Sequence, residues 1–445
     1  MEVTSTDQIR LLPLHGPRRL LLLLPIGAML AAVYFCACWY FGNTLAEFAP
    51  SPDQGGRETA QAAVRLAPND PLTHWVLGTE EKGSLDPSRW PEAIKHYEQA
   101  VRLSPSDYRL WMDLGRAREQ SGDGAGGEHA LRRAIELAPA YGYPRWYLGN
   151  LLLREGRREE AFVELRKAGE AATTFRPQIF VLAWHFYDQD VKGIENNLAR
   201  DPDARAQLAL FLARPEQGKP DDAVRIWKSI AAGARQEMTD TGQMILHTLY
   251  DASSLAAAAE MEKSLHPDHA PAFEKISNPG FEEGIGGADA SLFAWRANSV
   301  PQATVSFDTA TYHAGSRSLQ VNFSGYSDML FINIWQPVLV APDKAYRLQF
   351  FVKTRELVSI GPPVIEVFDP QDPKNPLVTQ TPGITGTNEW QAITLDFKTT
   401  AKTQAVMIRS SRVPCASACQ VFGTIWYDDF DLQPGSGAPA TKVTR

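Results

Sequence analysis

Residues 20–41 read LLLLLPIGAMLAAVYFCACWYF, without one charged side chain. A helix rising ~1.5 Å per residue needs about 20 apolar residues to cross a ~30 Å hydrocarbon layer. In lipid every backbone N–H and C=O must be satisfied within the segment, so such a run is helical. Arg10, Arg18 and Arg19 precede it, and Glu47 and Asp53 follow. Positive charge stays on the cytoplasmic side, which sends the chain after Phe41 across the membrane. Tyr34, Trp39, Tyr40 and Phe41 crowd the far end, at the level where amphipathic rings settle. A cleaved signal peptide has a shorter apolar core, ~7–15 residues, and small residues at its exit. A lipoprotein signal is disfavoured because Phe35 precedes Cys36 and the run continues past it. The expectation is a single-pass anchor at 20–42, a cytoplasmic tail at 1–19 and a polar linker at 43–56.

A net charge of −8 and a pI near 5.7 argue against a nucleic-acid surface. Cys36 and Cys38 lie in the apolar run, two positions apart, and point to different sides of a helix. Cys415 and Cys419, in PCASAC, lie on the exported side, where a disulfide is expected; two separate thiols are the alternative. Zinc would need two further ligands that the neighbouring sequence lacks.

From residue 57 the chain repeats itself. AAVRLAPND, EQAVRLSPSD and RRAIELAPAY carry Pro68, Pro105 and Pro139, and WVLG, WMDLG and WYLG follow. Gly78, Gly115 and Gly149 are 37 and 34 residues apart, and the three prolines keep the same two spacings. Two markers with one period indicate a repeat near 34 residues. The match of Leu77, Gly78, Ala93, Tyr97, Ala100 and Pro105, with an insertion in GSLDP (83–87), resembles the tetratricopeptide repeat. So do Leu114, Gly115, Ala134 and Pro139, and then Leu148, Gly149, Ala161 and Ala168. The pattern lapses after Thr173 and returns at DDAVRIWKSI, with Ala223, Trp227 and Ile230 on one face. Residues 57–272 are expected to form four or five helical pairs. The resemblance implies a non-catalytic solenoid that binds protein through the first helices of its pairs. On that register Trp75, Thr79, Arg109, Met112, Arg116, Tyr143, Trp146 and Asn150 face a groove. Core packing is the competing role for Trp75 and Trp146.

Near Asn278 the pattern turns to alternation. Residues 318–323, 346–354, 363–370, 390–399 and 405–411 read as strands between turns, indicating a β-sandwich over 273–434 and a disordered tail at 435–445. NPGFEEG (278–284), Trp295, HAGSRSLQV (313–321), YRLQFFVKT, Trp390 and WYDDFDL (426–432) resemble carbohydrate-binding-module jelly rolls of the galactose-binding-like class. That resemblance implies a structural calcium held by Glu282 and Asp428 near Gly315 and Ser316; in the alternative Glu282 merely closes a turn and Asp428 faces solvent. It also implies glycan contacts from Trp335, Gln336, Gln349, Phe351 and Glu366 on one sheet face. Trp295, Trp335, Trp390 and Trp426 are equally suited to fill a core.

No nucleophile elbow, Walker loop, zinc-protease helix or dinucleotide fingerprint is present, and HPDH (266–269) reads as a turn. The fold class expected is multidomain: one transmembrane helix, an all-α repeat solenoid, then an all-β jelly roll. Such architecture resembles accessory components of exopolysaccharide or envelope-glycan assembly. It implies a non-enzymatic scaffold, single-pass in the bacterial inner membrane and mostly periplasmic. In the alternative, glycan recognition is the primary activity and the repeats are its arm.

Overall fold

The computed structural model describes residues 20, 23–50, 54–83, 86–286, 290–328, 333–369, 371, 378–415 and 419–435. The expected cytoplasmic tail and, apart from Gly435, the expected disordered tail lie outside these. The chain forms two compact units, Met1–Asp190 and Val191–Arg445.

The first unit is helical. It contains α1 (Leu23–Glu47), α2 (Arg57–Leu66), α3 (Pro71–Gly83), α4 (Trp90–Leu103), α5 (Tyr108–Gln120), α6 (Gly124–Leu137), α7 (Gly142–Arg154), α8 (Arg158–Ala171) and α9 (Arg176–Phe186). α3–α4, α5–α6 and α7–α8 are antiparallel pairs, and each repeats the same close contact. A Cβ on Gly115 would stand 2.7 Å from Leu131 Cγ and 3.0 Å from the Gly127 carbonyl. One on Gly149 would stand 2.6 Å from Leu165. Opposite Gly78, Gly115 and Gly149 stand the carbonyls of the small, buried residues Ala93, Gly127 and Ala161, at 3.2, 3.0 and 3.2 Å from such a Cβ. Small residues let the paired backbones approach, and Asp107 and Asp123 cap α5 and α6 by accepting from the Arg109 and Gly126 amides. The GSLDP insertion leads into a short 3-10 turn, Pro87–Arg89, capped by Asp86 at 3.0 Å from the Ser88 amide.

α1 is long and apolar enough to cross a membrane, by length and composition. The linker expected at 43–56 begins later, because α1 runs on to Glu47. Gly42 and Ala46 are buried, and Asn43 Nδ2 donates to Asp70 Oδ2 at 3.0 Å. This packing against α2 and its loop keeps the last turns helical. α1 thus packs against α2 before the start of the repeats expected at residue 57.

The second unit opens with α10 (Val191–Leu198), α11 (Pro202–Ala213), α12 (Pro220–Ser229), α13 (Ala232–Glu237), α14 (Thr239–Asp251) and α15 (Leu255–Leu265). Ala223, Trp227 and Ile230 are buried, as their spacing indicates. These late helices share a unit with the sandwich, although the change of pattern near 272 is where the sequence divides. Tyr250 of α14 meets Phe293 edge-on at 6.2 Å.

Ten strands follow. They are β1 (Arg296–Ala297), β2 (Ala303–Asp308), β3 (Ser318–Tyr326), β4 (Ile334–Leu339), β5 (Ala345–Val358), β6 (Pro363–Phe368), β7 (Val378–Gln380), β8 (Gly386–Lys398), β9 (Ala405–Arg412) and β10 (Val421–Pro434). They make two antiparallel sheets, β1-β4-β9-β6-β7 and β2-β3-β10-β5-β8. Between the sheets Phe350 stacks on Phe430 at 4.7 Å, and Trp295 and Phe281 pack beside them. Trp295 is thus a core residue. Cys415 and Cys419 form the expected disulfide. Beside it Arg412 donates to the carbonyls of Gly361, Asp328 and Cys419.

Gly115→Val forces Leu131 and the Gly127 backbone aside. Overpacking of this kind costs about 1–3 kcal/mol, and urea unfolding followed by helical circular dichroism is expected to show that loss.

Candidate functional site

The repeat face is the first candidate. Trp75 Nε1 donates to Asp113 Oδ2 at 2.8 Å, and Asp113 Oδ1 accepts from Arg116 at 3.1 Å. The Arg116 guanidinium lies 4.3 Å above the Tyr147 ring. Tyr147 meets Tyr143 at 6.5 Å, Tyr143 meets Phe175 edge-on at 5.0 Å, and Phe175 stacks on Trp146 at 5.2 Å. One continuous ladder therefore runs across α3, α5, α7 and the turn before α9. It joins five of the eight groove residues expected from sequence: Trp75, Arg116, Tyr143 and Trp146 directly, and Asn150 through its bond to the Trp146 carbonyl at 2.8 Å. Thr79 bonds Trp75's carbonyl and the Tyr97 hydroxyl. Met112 is half-buried, and Arg109 is exposed and paired with Asp107 at 2.7 Å. Trp75 and Arg109 border a cleft of about 330 Å³ with Pro71, Leu72 and Leu110. Burial, then the neighbouring Arg116 charge, holds the Lys82 amine below the ordinary lysine value.

Asp113, Tyr147 and Phe175 escaped the sequence reading. Asp113 stands three residues before Arg116, a helical ion-pair spacing that was available as a signal. Phe175 sits in a 3-10 turn, where no periodicity marks it.

On the sandwich the five expected glycan contacts do not share a face. Trp335, Gln336 and Glu366 belong to the first sheet, Gln349 and Phe351 to the second. Gln336 is fully buried: its Oε1 accepts from the Ser277 amide at 3.1 Å and its Nε2 donates to Ser277 Oγ at 2.6 Å. Glu366 is 3% exposed and bonded by Arg409 Nε at 2.8 Å. Both are structural. Trp335 is half-buried and borders a cleft of about 280 Å³ beside Arg296 and Phe307. The second sheet keeps a polar and aromatic outer face. Phe351 alternates with the core residues Phe350 and Val352, so it points outward with Gln349. The His313 ring stacks on Phe351 at 3.6 Å, with Trp390 edge-on to His313 at 5.9 Å. His313 Nδ1 donates to Asp429 Oδ2 at 2.6 Å. Trp426 is buried, donating to Asp308 at 2.9 Å beneath the Arg355 guanidinium.

The carboxylates expected to hold calcium adjoin this face, since Asp428 lies opposite Phe351 in the β5–β10 pairing. Asp428 Oδ2 accepts from the His313 and Ala314 amides at 2.8 and 3.3 Å, so Asp428 does not face solvent. Glu282 accepts from the Ser316 amide and hydroxyl at 3.0 and 2.6 Å. Adjacent acids on a regular strand face opposite ways, but the pairing slips between Asp428 and Asp431 and Asp429 has φ 48°. Both therefore reach the 313–314 loop. A Cβ on Gly280 would lie 3.4, 3.5 and 3.8 Å from carboxylate oxygens of Asp428, Asp429 and Glu282. Carboxylate oxygens are the donors a hard cation takes. Among the described residues no three such side chains meet as a formed metal cluster. The amides of residues 313, 314 and 316 hold the oxygens instead. Burial, reinforced by Asp429, pushes the Asp428 carboxyl above its usual value, while the Ser316 bonds hold Glu282 below its own.

Together these features define a tetratricopeptide-like helical-repeat region followed by a two-sheet antiparallel β-sandwich. No family model matches the chain. Superkiller protein 3 of Schizosaccharomyces pombe is 33% identical over 88 residues, which are 20% of this chain and 6% of that protein's length. The crystal structure of MamA aligns with 42% of this chain and 91% of its own, at 18% identity and TM-score 0.27. TmCBM61, solved with β-1,4-galactotriose, aligns with 37% and 100%, at 21% identity and TM-score 0.25. A CBM4 structure aligns with 36% and 100%, at 15% identity and TM-score 0.27. The assignment of fold stands on element order and strand register, not on these scores.

Glu366→Gln breaks a buried ion pair, at a cost of about 3–5 kcal/mol, detectable by urea unfolding of the full chain. The Asp428 carboxyl, raised by folding, stabilises below its unfolded value near ~4 and that stability is lost as pH rises through the folded value. In chelator, thermal melts are expected to show the parent losing stability relative to Asp428→Asn as pH rises from acid to neutral, against the opposite trend that carboxylates held low, such as Glu282, give both proteins.

Proposed function

We propose that the protein is a non-enzymatic, membrane-anchored scaffold of a bacterial envelope. Its repeat groove takes a segment of a protein partner, and its sandwich meets polysaccharide, in exopolysaccharide or envelope-glycan assembly on the periplasmic side. The ladder from Trp75 to Phe175 is the observation that carries this proposal. Half-exposed aromatic rings, with an arginine held between an acid and a tyrosine, offer a peptide both stacking surface and directed hydrogen bonds. α1 supplies the anchor.

For glycan contact we assign the outer face of the second sheet, with Trp390 and Phe351 as stacking rings, Gln349 as a planar hydrogen-bonding group and His313 covering Phe351 until displaced. Trp335, Gln336 and Glu366 are withdrawn from that role by their positions. Calcium held by Glu282, Asp428 and Asp429 would fix the 313–316 loop that carries His313.

The test is calorimetric titration of the full chain in lipid nanodiscs against a panel of envelope and β-linked plant polysaccharides, with calcium and with chelator. Saturable heat is expected with at least one glycan, lost in Trp390→Ala, together with a calcium-dependent rise in melting temperature that is absent in Asp428→Asn. A folded protein giving no heat with any glycan would remove the sugar arm and leave the repeats. Turnover of a glycan would overturn the non-enzymatic assignment.

A further inference from the structure

The phrase that marks each first helix occurs once more, inside the apolar run. Trp39-Tyr-Phe-Gly42 matches Trp75-Val-Leu-Gly78 and Trp146-Tyr-Leu-Gly149, and Gly42 precedes Gly78 by 36 residues. The spacing fits the repeat, and α1 packs against α2 at this point. A Cβ on Gly42 would stand 2.7 Å from Ala67 Cβ and 3.0 Å from the Ala63 carbonyl, a close approach like those of Gly115 and Gly149 but made at the last turn of α2, where theirs fall on the first turns of α6 and α8. Along α1 the side chains from Leu23 to Phe41 are exposed or half-buried, and burial begins at Gly42.

We propose that α1 is both the membrane anchor and the first helix of the first repeat. One unbroken helix then passes from lipid into the solenoid. The groove then opens close to the headgroup surface, and α3 stands roughly one helix spacing, ~10 Å, farther along the array. No flexible joint separates the groove from the bilayer, so the groove is presented at a fixed height and orientation. The same packing makes α1 part of the mature fold: without it Ala63 and Ala67, which are 0% and 4% exposed, lose the cover of Gly42. A signal peptide whose removal uncovers the first helical pair would defeat folding.

This rests on α1 lying in the membrane, and the experiment separates the two claims. Spin labels are placed at Met29→Cys and Arg102→Cys in a Cys36→Ser, Cys38→Ser background, with the full chain in nanodiscs. Electron–electron distance measurements are expected to give one narrow distribution. Gly42→Leu, which drives a side chain into Ala67, is expected to broaden it more than twofold while circular dichroism shows the remaining helices intact. Asn43→Ala, which removes only the bond to Asp70, is expected to broaden it less. A broad distribution in the parent, or a width unchanged by Gly42→Leu, overturns the shared helix. Accessibility of the Met29 label to oxygen rather than to a water-soluble nickel chelate reports the membrane placement on its own. A water-exposed label there would refute the anchor even where the joint proves rigid.

Discussion

Close contact between paired helices at glycine and alanine is what the helical unit depends on. Helices that meet through large side chains sit ~8–10 Å apart at angles set by those side chains. Here Gly78, Gly115 and Gly149 bring each first helix against the backbone of its partner. Each pair therefore repeats nearly the same geometry, and the first helices present their outer faces in register. That register is what aligns Trp75, Asp113, Arg116, Tyr147 and Trp146 into one ladder, although they come from three pairs.

In the sandwich the equivalent constraint is alternation across two sheets. Inward residues such as Phe350 and Ile408 close the core and leave the neighbouring residue on each strand facing out. On the first sheet that outer residue is committed to internal pairing, as Glu366 is to Arg409. On the second it stays half-exposed, as at Phe351 and Trp390. The break in pairing at Asp428 and Asp429 then turns two acids toward the loop carrying His313, so the aromatic face and this acidic cluster adjoin.

The repeats were legible because glycine, alanine and proline each keep one period, and any two of them fix it. The strands were legible from alternation, but alternation says which face a residue takes on its own strand and nothing about which sheet the strand joins. That is why Gln336 and Gln349 were grouped together although one lies buried against Ser277. β1, β2, β4 and β7 are short or lie beside turns, and their signals are weak. The start of the linker was set too early, because an apolar run ending at Phe41 does not show how far the helix continues past it. The phrase Trp39–Gly42 held a signal, since it matches Trp75–Gly78 and Trp146–Gly149. The inward turn of Asp429 depends on a positive φ at a non-glycine residue, which no sequence pattern announces.

The central claim is that the anchor and the repeats are one continuous folding unit. Amide hydrogen exchange on the full chain in nanodiscs measures it directly, segment by segment. The account predicts that amides of α2 and of α1 from Gly42 to Glu47 are protected as strongly as those of α3–α8, and that deleting residues 1–41 releases α2 while α5–α8 keep their protection. Rapid exchange in α2 of the intact protein, or no change on deletion, would contradict it.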